Sequence, residues 1–102
     1  MPIYAITLFE KIELHEHGLA TLGEMRMIGF FESMQECELS LKLDFAKARE
    51  SVFNYAVVEK FWPGIYPSCR SREFFQWNDE RQGYLPIEEP ACMEKIVNFG
   101  IG

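Results

Sequence analysis

The chain has 102 residues, 48% of them hydrophobic and 25% charged, which is enough for one globular domain with a single core and too apolar for intrinsic disorder. A formal net charge of −6 argues against general nucleic-acid binding, which needs a positive field to displace counterions from phosphates. No apolar run is long enough to cross a bilayer, and the first residues lack a basic region followed by an apolar stretch and a cleavage site, so a cytoplasmic protein without a membrane partner is expected.

Residues 3–10 (Ile-Tyr-Ala-Ile-Thr-Leu-Phe-Glu) are β-branched and aromatic with little alternation, which predicts a strand that is central in a sheet or covered on both sides. Residues 11–23 are weakly patterned and bracketed by Gly18 and Gly23, as in a long connection or hairpin tip. Within them, Glu13, His15 and His17 share a side if the backbone is extended. Two imidazoles and a carboxylate can hold a metal, but polar residues on the wet face of a strand end explain the pattern as well, and no metal site is assigned.

Residues 24–31 predict a second strand, with Gly29 marking a bulge or a close backbone approach. Ser33 and Glu36 have capping-box spacing, so a helix is expected to begin at Met34. Met34, Cys37, Leu41, Phe45 and Ala48 recur at three or four residues and form its apolar stripe. Leu39 and Leu43 fall off that stripe. They either widen the buried face or announce a break near Asp44, and the two-piece reading is preferred.

Residues 55–62 and 72–78 predict a third and a fourth strand, joined by a segment rich in turn formers. In the fourth, Phe75 and Trp77 share one face with Glu73, and Phe74 and Gln76 share the other, so it is not a free edge. Residues 78–83 are a polar turn. Residues 84–87 predict a fifth strand that Pro86 confines to an edge, and Pro90 before residues 91–98 signals a short helix, with a final strand as the alternative. The expected architecture is a single α+β domain over residues 1–102: a mostly antiparallel sheet of four to five strands with one main helix packed on one face, in two layers.

Cys37, Cys69 and Cys92 are odd in number and widely spaced, without the pairing of a disulfide framework or a zinc site. Cys37 and Cys92 are expected in the core. Cys69, beside Arg70, is the one cysteine in a loop setting, without a visible base to activate it. Glu59 and Glu73 lie inside strands and would be an acid–base pair if they met across the hairpin; Glu59 opposite Arg72 would instead be an ordinary cross-strand ion pair, the preferred reading. A Gly-rich phosphate loop, a nucleophile elbow and a Ser-His-Asp order are all missing, so neither a cofactor nor a reaction class is implied.

The hairpin loop carries the strongest recognition pattern. Trp62, Ile65 and Tyr66 are apolar groups between or beside prolines, followed by Arg70, Arg72 and Trp77. They either fold back as a lid or offer a surface that stacks an aromatic group and pairs an anion. Aromatic surface of this kind also suits a homodimer.

Residues 28–33 with Glu36, 55–59, 63–67, 72–78 (Arg-Glu-Phe-Phe-Gln-Trp-Asn) and 87–90 (Ile-Glu-Glu-Pro) together resemble a group of short uncharacterised proteins of Gram-positive bacteria and their mobile elements. The resemblance spans residues 26–90. It brings no activity, cofactor or site residue with it, and implies a bacterial cytosolic setting with a phage-linked variant. The function expected is a non-enzymatic binding or interaction protein, as an accessory or anti-defence protein of a mobile element in that variant. Its aromatic and Arg hairpin would contact a protein or a small anionic or aromatic ligand. The alternatives are a small enzyme using Glu59 and Glu73, and a self-associating structural protein.

Overall fold

A computed structural model describes residues 2–16, 20–43, 53–62 and 69–90, without the side chains of Cys69 and Arg70. Among the described residues seven strands and one helix follow in the order β1 (Ile3–Phe9), β2 (Glu13–Leu14), β3 (Ala20–Thr21), β4 (Met25–Phe31), α1 (Met34–Lys42), β5 (Tyr55–Phe61), β6 (Cys69–Asn78) and β7 (Gly83–Ile87). Five strands form one sheet in the order β4-β1-β5-β6-β7, every neighbouring pair antiparallel. The α+β expectation holds, with one helix against a five-stranded sheet and a separate two-stranded ribbon, β2-β3.

The apolar run of β1 is explained by its place. It pairs with β4 on one edge and β5 on the other, and Ala5 through Phe9 are all buried, so both its edges and both its faces are used. Since β4 and β5 are each antiparallel to β1, they run parallel to one another with β1 between them, and α1 lies in the connection that passes over it.

Alternation sorts the sheet into two faces. On one, Ile6, Leu8, Ala56, Val58, Phe75 and Tyr84 pack with Phe53 and with Cys37 and Leu41 of α1. On the other, Phe9, Val57 and Phe74 meet Leu22, with Ile12 and Ala20 of the ribbon region beside them. Each fully buried Phe here contributes roughly 1.5–3 kcal/mol of transfer free energy. The Phe9 and Tyr55 rings, partners in register, stack at 5.2 Å.

The helix begins as the sequence predicts. Ser33 is extended at its N-cap, and the Glu36 amide donates to Ser33 Oγ at 3.2 Å; among the described residues the reciprocal bond to the Glu36 carboxylate is not made. α1 ends at Lys42, and Leu39 and Leu43 are about half exposed, so they do not widen the buried face. Phe45, Ala48 and the second helical piece lie outside the described residues, as do the segment 91–98 and Cys92.

Within 11–23, β2 pairs antiparallel with β3, as the predicted hairpin tip requires. Gly23 has φ 72°, and a Cβ there would stand 2.9 Å from that of Glu10, where the Glu10 amide donates to the carbonyls of Leu22 and Glu24. The register between β1 and β4 shifts opposite Ile28 and Gly29, the bulge that the lone glycine signals. One boundary differs from the sequence reading: β6 starts at Cys69, so Cys69 and Arg70 belong to a strand and not to the loop. Residues 69–71 carry no strong alternation, and their pairing with β5 decides the matter.

Candidate functional site

α1 covers only part of its sheet face. Where β5 and β6 run on beyond its first turn, they leave a cleft of about 200 Å³, with Tyr4, Met34, Val58, Lys60, Ser71 and Glu73 among its lining residues. Register builds it: Tyr4, Lys60 and Ser71 lie abreast on β1, β5 and β6, while Ile6, Val58 and Glu73 make the next row. Lys60 therefore occupies the position that alternation after Ala56 and Val58 would give to an apolar side chain.

Lys60 and Glu73 are diagonal neighbours on this face, a spacing of about 7–8 Å between Cα atoms. Among the described residues neither side chain takes part in a hydrogen bond or an ion pair, and the Tyr4 hydroxyl has no partner. Arg72 also borders the cleft, but its Nε donates to Glu89 Oε1 at 3.0 Å. Two residues past Lys60 stands Trp62, 44% exposed.

The residues singled out in the sequence do not converge. Trp62 and Arg72 are near the loop end of the β5–β6 hairpin, whereas Trp77 is at the opposite end, across from Tyr84 of β7. Its indole Nε1 donates to Asp79 Oδ1 at 2.7 Å, and its ring meets that of Tyr84 edge-on at 5.4 Å. Trp77 is thus a packing residue. Ile65 and Tyr66 lie outside the described residues, and Arg70 is placed only by its backbone, in β6.

The acid–base pair is overturned by register. Glu59 stands opposite Arg72, and Glu73 opposite Val58, so the two carboxylates project from opposite faces of the sheet. Glu59 is fully buried on the face away from α1, while Glu73 is exposed at the cleft. His15 Nε2 is hydrogen-bonded to Thr21 Oγ1 at 2.5 Å on the small ribbon, His17 lies outside the described residues, and among the described residues no group of three His, Cys, Asp or Glu could hold a metal ion. The Cys37 thiol, buried beneath α1, is pushed up to about 12 by desolvation, with the Glu36 and Glu38 charges adding to it, so it stays protonated and unreactive at neutral pH.

Sequence reasoning found Trp62 and Arg72 but missed Tyr4, Lys60 and Ser71. A signal existed for Lys60: continuing the inward alternation of residues 56 and 58 puts an amine on the core face. Tyr4 and Ser71 could be found only through the pairing of three strands. No helix among the described residues is long and apolar enough to cross a membrane. No family model matches the chain, and neither a curated protein nor a solved structure does.

Proposed function

We propose that the protein is a binding module whose contact surface is the loop end of the β5–β6 hairpin. The observation that supports this reading is Trp62, a large aromatic left 44% exposed beside a polar cleft that holds the uncommitted charges of Lys60 and Glu73. Aromatic anchors next to charged groups are where binding energy concentrates. The setting of the proposal is the bacterial cytoplasm, as an accessory protein of a mobile element acting against a host defence system. Its test is capture of a partner from a bacterial lysate by the immobilised protein and by Trp62→Ala. Capture lost in the variant, at unchanged melting temperature, supports the reading; equal capture by both overturns it.

A second reading, self-association, is favoured by a different observation. Among the described residues β4 is a terminal strand of the sheet with β1 as its one partner, and Met25, Met27 and Phe30 on it are 42%, 39% and 51% exposed. By register all three share the face of Phe9, Thr7 and Ala5, so a second copy adding its own β4 would cover an apolar strip and pair a free edge together. Light scattering over a range of concentrations distinguishes the two: a dimer that Met27→Lys with Phe30→Lys converts to a monomer supports self-association, and a strict wild-type monomer removes it.

A further inference from the structure

We propose that the cleft between α1 and the β5–β6 hairpin binds a small zwitterion of the free α-amino-acid class, the carboxylate meeting Lys60 and the ammonium meeting Glu73; this rests on the binding reading above. The charges are the reason. Opposite charges at diagonal positions on one sheet face are within reach of each other, yet Lys60 and Glu73 remain apart while lining the same cleft. Each is left with its full hydrogen-bonding capacity directed to solvent or to a ligand: three donors on the ammonium, two acceptor oxygens on the carboxylate. A ligand with both charges on neighbouring atoms satisfies both at once, whereas a simple anion or cation leaves one of them opposed.

Size narrows the class. A cleft of about 200 Å³ is smaller than the pockets that enclose drug-sized ligands, about 300–1,000 Å³, and matches a small molecule better than a nucleotide. The walls suit what remains. Tyr4 offers an unpaired hydroxyl, and Met34 and Val58 offer apolar surface for a short side chain. The N-terminal end of α1, with its partial positive charge, reaches the cleft through Met34 and reinforces the attraction for a carboxylate.

The test is titration of the isotope-labelled protein with free amino acids, one at a time, followed by amide chemical shifts. Saturable shifts at residues 58–60 and 71–73 are expected for at least one of them. For that amino acid, the N-acetyl form and the carboxamide form, each lacking one charge, should bind at least about tenfold more weakly to wild type. Glu73→Gln should erase the discrimination against the N-acetyl form, and Lys60→Gln the discrimination against the carboxamide. The blocked ligands need no variant, so a folding defect in either substitution leaves the experiment decisive. The absence of shifts with every amino acid, or equal binding of blocked and free forms, overturns the proposal. If it falls in this way while Trp62→Ala still abolishes capture, the ligand class is wrong and the contact surface stands; saturable binding of the zwitterion with capture unaffected by Trp62→Ala supports the ligand site and removes the hairpin surface.

Discussion

Gly83 lies so close beneath the end of α1 that a Cβ on it would stand 1.9 Å from the carbonyl oxygen of Lys42. Its backbone conformation is ordinary; what glycine supplies here is the absence of a side chain, which lets the last helical turn rest on the first residue of β7. A methyl group cannot be fitted without moving backbone. Gly83→Ala is therefore expected to lower stability by roughly 1–3 kcal/mol, as overpacking does. A urea midpoint equal to wild type would show that α1 is free to lift away from β7.

Thr7 gives the opposite sign. It is 1% exposed, and its Oγ1 has no hydrogen-bond partner among the described residues, so the fold carries an uncompensated hydroxyl whose desolvation costs about 1–3 kcal/mol. Thr7→Val keeps the shape and removes the polar atom. Its melting temperature should rise; a fall would mean that the hydroxyl makes an interaction in solution.

The helix start offers a graded check. Ser33→Ala removes the acceptor for the Glu36 amide and should cost about 0.5–2 kcal/mol, whereas Ser33→Gly should cost only a few tenths. Denaturation curves in which the two variants coincide would contradict a capping role for the hydroxyl.

The two tryptophans should behave differently. Trp62→Ala removes a ring that is 44% exposed and is expected to cost no more than about 1 kcal/mol. Trp77→Ala removes a ring from its contact with buried Tyr84 and should cost about 3 kcal/mol or more. Equal losses in the two variants would make Trp62 part of the core packing and undo its assignment as a contact residue.

Cys37 links stability to alkaline pH. Its thiol titrates from 9.0 to about 12 on folding, so between these values the unfolded chain releases a proton that the folded chain retains. The unfolded state then binds fewer protons, and stability falls as pH rises through this window, with the full contribution present below pH 9. Cys37→Ala should flatten the decline relative to wild type, and an unaltered slope would place the thiol in water.

How far the sequence could be read follows from the range of each interaction. The cap at Ser33, the bulge near Gly29, the edge strand with Pro86 and the two-sided β6 are decided within a few residues, and local pattern was enough for all of them. The neighbours of β1 were not. Nothing in residues 3–9 states that β5 will be its second partner, so the abreast placement of Tyr4, Lys60 and Ser71 that makes the cleft was hidden. The pairing of Glu59 with Arg72 was the preferred alternative, and the same register that sets them opposite sends Glu73 to the other face. Trp62 and Trp77 look equivalent on a string of letters, and only the length of the hairpin between them separates an exposed ring from a packed one.

The central position of β1 has a cost during synthesis. It leaves the ribosome before the other strands of the sheet, but β5, which fills its second edge, begins only at Tyr55. Until then a nascent polypeptide carries an apolar strand with one open edge, held at best by β4, and strand pairing that waits on distant sequence is slow. Such an intermediate is the species most exposed to aggregation and to capture by chaperones. Ribosomes stalled before Phe61 has cleared the exit tunnel should therefore display a sticky, protease-sensitive chain, and those stalled after it has emerged a progressively protected one.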